Sequence, residues 1–315
     1  MNNLISCKVC NGDTQLLAKK IGYDNNEYDI HACVVCGLQQ IGNPPQISSL
    51  GDMYEERMIR KWEKVDFVDW KNRIISLPNQ PKLDDFNEVL LKASKILQKK
   101  RLNILDVGCG RGTLVYWANK SGHIAKGLEA GKKITNFLNK KVGKYFINFH
   151  EVKDHKFDLI YFEHSFEHID DPKKFLNHLK KSLIRKGLIF IRLPNHSCKE
   201  VKKLGFKWLN YSPPHHLFFY NRLSLNSTLL KSGFKPLFWE TDCKFANGVW
   251  LFYSLDRWIN GLFRRINKLP FVNLKKIEPG NHYPKSILDY FRLIPFWLKL
   301  YKPDQELSVF AQKNK

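Results

Sequence analysis

The chain has 315 residues, enough for one large core or two domains. Its 43% hydrophobic and 13% aromatic content excludes a disordered protein, and no uninterrupted apolar run of about 18 residues offers a membrane-spanning helix. With 52 basic against 30 acidic residues the net charge is +22, which points to nucleic acid, an anionic membrane surface or a phosphorylated substrate, unless the lysines only keep the surface solvated.

The opening stretch "MNNLISCKVC" lacks a basic segment followed by an apolar one, so no secretory signal is expected. Seven cysteines, an odd count, suit a reducing compartment. Cys7 and Cys10, and Cys33 and Cys36, form two Cys-x-x-Cys pairs with 22 residues between them. That is the spacing of two knuckles around a tetrahedral zinc, with Gly12 and Gly37 suited to the tight turns behind them. Four thiolates leave no open position, so the expected role is structural, in a segment of about 40 residues that buries little apolar surface of its own. Redox pairs or chance buried thiols are the competing reading.

"IGNPPQISSLG", 41–51, reads as a linker, and 53–77 as a polar helix with interleaved aromatics. Residues 83–100 place Leu83, Phe86, Leu90, Ile96 and Leu97 at helical spacing. Then strands "LNILDVG", "HIAKGLEA", the short "KYFINFHEV", "KFDLIYFEH", "GLIFIRLPN" and "KPLFWETDC" alternate with helices "GTLVYWANKSG", "KKITNFLNKKVG", "DPKKFLNHLKKSLIRKG" and "LSLNSTLLKSGF". The third of these helices carries Asp171 as N-cap, Pro172 at its first position, an apolar face of Phe175, Leu176, Leu179 and Leu183, and Gly187 as terminator. The stretch 245–302 breaks the rhythm with thirteen aromatics, ten basic and three acidic residues, before a last strand "QELSVFAQK". The expected fold is α/β: a Rossmann-like, doubly wound, mainly parallel seven-stranded sheet, with a small zinc-ribbon-like module in front and a helical insertion before the last strand.

"ILDVGCGRGTL", 104–114, runs from a strand through a glycine turn into a helix. Gly108 and Gly110 let the backbone turn sharply and approach a ligand, and the helix N-terminus offers N–H groups to a carboxylate or phosphate. A nicotinamide fingerprint needs glycine where Thr113 stands. Instead Asp106, two residues before Gly108, and Gly112 complete D-x-G-x-G-x-G, an acid placed for a cationic amine. Glu129, closing the second strand, suits the two hydroxyls of a ribose.

"LDVGCGRGTL" resembles motif I of the class I S-adenosylmethionine-dependent methyltransferases. "FDLIYFEHSFEHIDDPKKFLNHLKKSLIRKGLIFIRLPN" is similar to the family's fourth strand, loop, helix and fifth strand, with the H-x-h-E-H-h-x-D-P loop of one large subgroup. "YSPPHHLFFYNRLSLNSTLLKSGF" resembles that subgroup's next segment, and the double Cys-x-x-Cys in front resembles a group of bacterial sugar methyltransferases. The resemblance covers 85–243 and the strand at 305–313. It implies S-adenosylmethionine as cofactor, with Gly108, Cys109, Gly110 and Gly112 along its methionine portion, Asp106 at its ammonium and Glu129 on its ribose. Glu163 would also belong to the cofactor site, and Asn148 or Glu151 stands where the family meets adenine. The implied divisions are a zinc-binding module at 1–45, a linker and helices at 46–100, the cofactor-binding methyltransferase core at 101–244, the basic aromatic insertion at 245–303, and the core's final strand at 304–315.

Methyl transfer from a sulfonium is an in-line displacement, and a sugar hydroxyl needs a base late in the reaction. The candidates are His164, Glu167 and His168 in "FEHSFEHIDDP", at the i, i+3, i+4 spacing of one helical face, and the pair His215/His216. His168 or His216 would be the base. A divalent metal on Glu167, His168 and His216 is the rival reading, as in quinone-pathway and small-RNA methyltransferases of similar sequence, which carry a glutamate where His164 stands. A Glu167–His168 pair that only shapes the cofactor pocket is the plain one. Asp170 and Asp171 belong to the helix start.

The expected function is methylation of a sugar, whether nucleotide-linked, lipid-linked or in a surface glycan, as a step of glycan biosynthesis. An RNA-modifying enzyme and a metal-assisted small-molecule O-methyltransferase are the alternatives, nucleic acid being the weaker partner because no RNA-binding module is recognisable. The expected location is cytoplasmic. Residues 245–302 offer Lys/Arg and Trp/Phe for peripheral contact with an anionic membrane, or else form a helical cap on the domain.

Overall fold

The computed structural model describes residues 5–45, 47–76, 81–242 and 305–314. The expected insertion at 245–303 and Cys243 lie outside the described residues. Strands β1 (Thr14–Ile21), β2 (Glu27–Cys33) and β3 (Gln39–Ile41) come first, followed by helices α1 (Ile47–Glu63), α2 (Phe67–Ser76) and α3 (Pro81–Leu97). The helix expected over 53–77 is thus two. Asp66 divides them, because its carboxylate accepts from the backbone N–H of Val68 (2.9 Å) and Asp69 (3.1 Å) and starts α2 afresh.

The alternating part follows as β4 (Asn103–Val107), α4 (Thr113–Lys120), β5 (Ile124–Leu128), α5 (Lys132–Lys141), β6 (Phe146–Ile147), β7 (Phe157–Glu163), α6 (Pro172–Lys180), β8 (Leu183–Pro194), α7 (Lys199–Leu204), β9 (Phe218–Phe219), α8 (Arg222–Lys231), β10 (Phe234–Asp242) and β11 (Glu306–Lys313). Two boundaries differ from expectation. "KYFINFHEV" yields only two strand residues, because Glu151 accepts from Asn148 N (2.6 Å) and Asn148 Nδ2 (2.9 Å) and winds 149–154 into a 3₁₀ turn. The helix begun at Asp171 ends at Lys180, not at Gly187. Leu183 pairs with Phe157 in the sheet, and β8 bulges at Lys186 (φ 61) before Leu188 meets Leu159.

The large sheet has the order β10-β11-β8-β7-β4-β5-β6. Its pairs β8–β7, β7–β4, β4–β5 and β5–β6 are parallel, and β11 runs antiparallel to β8. Strand β7 reads as an apolar run because helices cover both faces. On one face lie Trp70, Phe86, Leu90 and Tyr116; on the other, Phe162, Phe166, Trp208 and Tyr220 share a core with Ile30 and Leu38 of the N-terminal strands. The N-terminal strands form their own sheet, β1-β2-β3-β9, whose fourth strand comes from residues 218–219. The order of the large sheet reverses beside β4, and the carboxyl ends of β4, β5 and β7 meet there, which is where α/β sheets of this type bind ligands. Among the described residues no helix is long and apolar enough to cross a membrane.

Candidate functional site

At the end of β4 the chain turns through Gly108 (φ 73), Gly110 (φ 55) and Gly112 (φ 80), all in the left-handed region. A Cβ on Gly108 would stand 2.4 Å from Ser165 Cβ, and one on Gly112 would stand 2.3 Å from the Phe146 ring. Gly110 has nothing within 4 Å and so leaves the loop open to a ligand. The loop borders a cleft of about 170 Å³ that also takes Asp106, Cys109, Thr113 and Glu163 into its lining. Glu129 stands beside it: Oε1 accepts from Gly110 N (2.9 Å) and Tyr54 OH (3.4 Å), and Oε2 accepts from Ala130 N (3.0 Å). Burial raises the Glu129 carboxyl above its ordinary value. Burial, then the charges of Glu129 and Asp106, push the Cys109 thiol well up, so it is no nucleophile.

Glu163 accepts from Tyr161 OH and lies 3.5 Å from the Arg192 guanidinium, which reaches Asp85 on α3 at the same distance. Asn148 and Glu151, either of which the resemblance would set against adenine, are hydrogen-bonded to each other. Two side chains of α1 escaped the sequence reading. Tyr54 reaches Glu129, and the buried Glu55 carboxylate accepts from Lys133 N (3.0 Å) and Ile134 N (3.4 Å), capping α5. Gly131 (φ 93) is required there, since its Cβ would fall 1.7 Å from Glu55 Oε1. The available signal was the aromatic–acid pair inside the polar "MYEERM".

The turn 162–172 does not present one helical face. His164 is left-handed (φ 50), and only Phe166–His168 forms a 3₁₀ turn. Ser165 within it donates to Val107 O (2.6 Å) and packs on Gly108, so this turn abuts the glycine loop. The His164 ring instead faces Glu306 of β11 (3.1 Å) and lies 3.8 Å from Glu167. Burial opposes its charge, but Glu306, Glu167 and Glu163 outweigh burial and raise its pKa. Glu306→Gln is therefore expected to lower the His164 pKa in an NMR titration; an unmoved value would break the pairing. Asp171 Oδ1 accepts from Lys174 N (2.9 Å), the expected N-cap.

His168, His215 and His216 gather with ring nitrogens within 4.8 Å of one another. His168 Nδ1 bonds the carbonyl of His215, and His216 Nδ1 that of Asn210 (2.7 Å). A carbonyl only accepts, so both rings carry a proton on Nδ1. Burial, then the nearby His168 charge, lowers His215 to about 4 and His216 well below its ordinary value. Both are neutral at pH 7. Beside them the Glu167 carboxylate is 2% exposed and makes no hydrogen bond among the described residues, with His168 Nε2 4.0 Å away. The loop between β8 and α8 and the turn after β7 thus bring three histidines and a buried carboxylate together, on the turn whose Ser165 abuts the glycine loop.

The four N-terminal cysteines form a second cluster, with all four Sγ atoms within 4.8 Å of one another. Cys7–Cys36 and Cys10–Cys33 are 3.6 and 3.3 Å apart, against about 3.8 Å between ligands of a tetrahedral site with Zn–S bonds of about 2.3 Å. Backbone N–H groups of Val9, Gly12, Val35 and Cys36 point at the sulfurs of Cys7, Cys10 and Cys33 at 3.4 Å. The hydrogen bond from the Cys36 thiol, foremost, holds Cys7 down at about 5. The left-handed residue behind the first knuckle is Asn11 (φ 59), matching Gly37 (φ 69) behind the second. Gly12 is needed for a different reason: its Cβ would meet Val35 Cγ2 at 2.6 Å.

Among solved structures, the chain is similar to a SAM-dependent methyltransferase from Archaeoglobus fulgidus (17% identity, TM-score 0.42, covering 79% of this chain and 100% of that one). It is also similar to magnesium protoporphyrin IX methyltransferase of Synechocystis PCC 6803 with bound SAH (13% identity, TM-score 0.46, 85% and 99% covered). In sequence it is 30% identical over 134 residues to the mitochondrial ubiquinone biosynthesis O-methyltransferase of Dictyostelium discoideum, a match spanning 36% of this chain and 42% of that protein's length. The methyltransferase domain family model matches residues 79–237, half of the chain, and takes in the glycine loop, Glu129 and the histidine pocket. The chain belongs to this methyltransferase domain family, the class I S-adenosylmethionine-dependent methyltransferases.

Proposed function

We propose that the protein methylates a hydroxyl of a sugar, nucleotide-linked, lipid-linked or in a glycan, with a histidine as base. The observation that carries this reading is the gathering of His168, His215 and His216 by the turn that abuts the glycine loop, with Nδ1 of His168 and of His216 committed to backbone carbonyls so that Nε2 is the nitrogen left to meet a substrate. Bound S-adenosylmethionine supplies an electrophilic methyl group. Asp106 would face its ammonium, the backbone at 108–110 its methionine portion, and Glu129 its ribose hydroxyls. His168 or His216 would take the acceptor's proton on Nε2 as the hydroxyl oxygen displaces the thioether, the methyl's C–S bond breaking as its C–O bond forms. The N-terminal cysteine module, similar to that of sugar methyltransferases, supports the choice of sugar.

We also propose a structural zinc on Cys7, Cys10, Cys33 and Cys36, whose four sulfurs and backbone N–H groups suit that ion. The protein is expected to hold about one zinc per chain by plasma mass spectrometry, and Cys33→Ser none. A phenolic acceptor is the second reading, favoured by the ubiquinone biosynthesis relative. Radiolabelled S-adenosylmethionine offered with nucleotide sugars, lipid-linked sugars, catechols and bulk RNA decides between them. Label in an alkali-stable sugar ether is the expected result; label confined to catechols or RNA overturns the sugar reading.

A further inference from the structure

We infer that the N-terminal cysteine module positions His215 and His216 against the turn after β7. Their part in taking up the acceptor rests on the proposed function, but the positioning holds whichever hydroxyl takes the methyl.

The segment 208–220 carries His215 and His216 but has almost no regular structure of its own. Some of its backbone bonds are internal, such as His216 N to Ser212 O (3.0 Å) and Tyr211 N to Trp208 O (3.0 Å), and others find their partners in the module. Gln39 and Gln40 of β3 pair with Phe219 and Phe218 of β9, and β9 ends that sheet, so β3 is its strand neighbour. Ile41 N donates to Leu217 O (3.0 Å), and Tyr23 N to Pro213 O (3.3 Å). Tyr211 OH donates to Gln39 Oε1 (2.7 Å), and Lys20 Nζ to Phe206 O (2.6 Å). On the opposite side, Leu217 N donates to Glu167 O (3.0 Å), beside His168. The histidine loop is therefore clamped between the module and the turn after β7. The carbonyl that fixes the His216 tautomer belongs to Asn210, next to the anchored Tyr211.

The contact at the β1–β2 turn is built for close approach. A Cβ on Gly22 would lie 2.7 Å from Pro213 O, so the absence of a side chain lets the loop settle there. The turn itself is held by Gly22 N to Asn26 O (2.8 Å) and Tyr28 OH to Asp24 Oδ2 (2.6 Å). On this turn Tyr23 is 58% exposed and edge-on to the His215 ring at 6.5 Å.

The test uses full-length protein and reads histidine tautomers by ¹⁵N NMR together with S-adenosylhomocysteine binding by calorimetry. Wild type is expected to show Nδ1–H patterns for His168 and His216. Gly22→Ala, and separately the double variant Cys10→Ser/Cys33→Ser, should lose the His216 pattern while cofactor-product affinity changes less than about threefold, below 0.7 kcal/mol. Tyr211→Phe removes only the hydrogen bond to Gln39 and tests the same link should either variant fail to fold; it should shift the His216 ring signals. Unchanged His216 spectra in the folded variants overturn the inference. So does a fall in product affinity in step with the spectral change, which would mean general unfolding and not positioning.

Discussion

His168→Ala and His216→Ala are each expected to slow methyl transfer by about 10²–10⁴-fold, the usual weight of a general base, with S-adenosylhomocysteine affinity retained. The reason is geometric before it is electrostatic. Both Nδ1 atoms are committed to backbone carbonyls, so Nε2 is the nitrogen each ring presents, in a fixed direction. The two are not equivalent. Burial and the neighbouring His168 hold His216 well below its ordinary pKa, which makes it a weak acceptor in the Brønsted sense. The larger loss is therefore expected for His168→Ala. His215 is lowered to about 4 and His216 well below its ordinary value, so neither is expected to produce an acidic limb near neutrality in the rate profile. Full turnover in both alanine variants would move the proton to another acceptor altogether.

Gly108→Ala is expected to weaken S-adenosylhomocysteine binding by about 30-fold or more. A left-handed L-residue costs about 1–2 kcal/mol and an over-packed methyl about 1–3, and each 1.4 kcal/mol is tenfold in affinity. At Gly108 both costs fall together, because φ is 73 and the new methyl would stand 2.4 Å from Ser165 Cβ. Ser165 cannot yield without losing its bond to Val107 O, and its turn carries Glu163 on one side and His168 on the other. Gly122→Ala is the matched comparison: φ is 90 and nothing lies within 4 Å, so it bears the backbone cost and leaves binding intact. Equal affinity in the two variants would show that the Ser165 contact does not shape the cleft.

What the sequence made legible was local. The alternation of elements, the glycine turn with Asp106 and Glu129, the Asp171 cap and the cysteine pairs each lie within a short window whose spacing carries the signal. What it hid depends on partners far along the chain. His164 is paired with Glu306, 142 positions away, and that contact follows from the register of β11 on β8. Leu183 fits the apolar face of a helix as well as a strand, and only its pairing with Phe157 decides. Glu55 looks like any surface acid of a polar helix until α1 is laid across the start of α5. The helical spacing of His164, Glu167 and His168 misled for the converse reason: a left-handed residue at His164 breaks the period on which that reading rests.

The pairing of His164 with Glu306 also sets a schedule. The glycine loop, Glu129 and Glu163 fall within some sixty consecutive residues, so the contacts among them close only short loops, even though Tyr54 and Arg192 reach them from farther along the chain. The methyl-acceptor half waits for residues 22–41 from one direction and for residue 306 from the other, each contact closing a loop of well over one hundred residues. The expected outcome in refolding is that amides around the glycine loop are protected from hydrogen exchange before those around His215 and His216, which pulse-labelling would read directly.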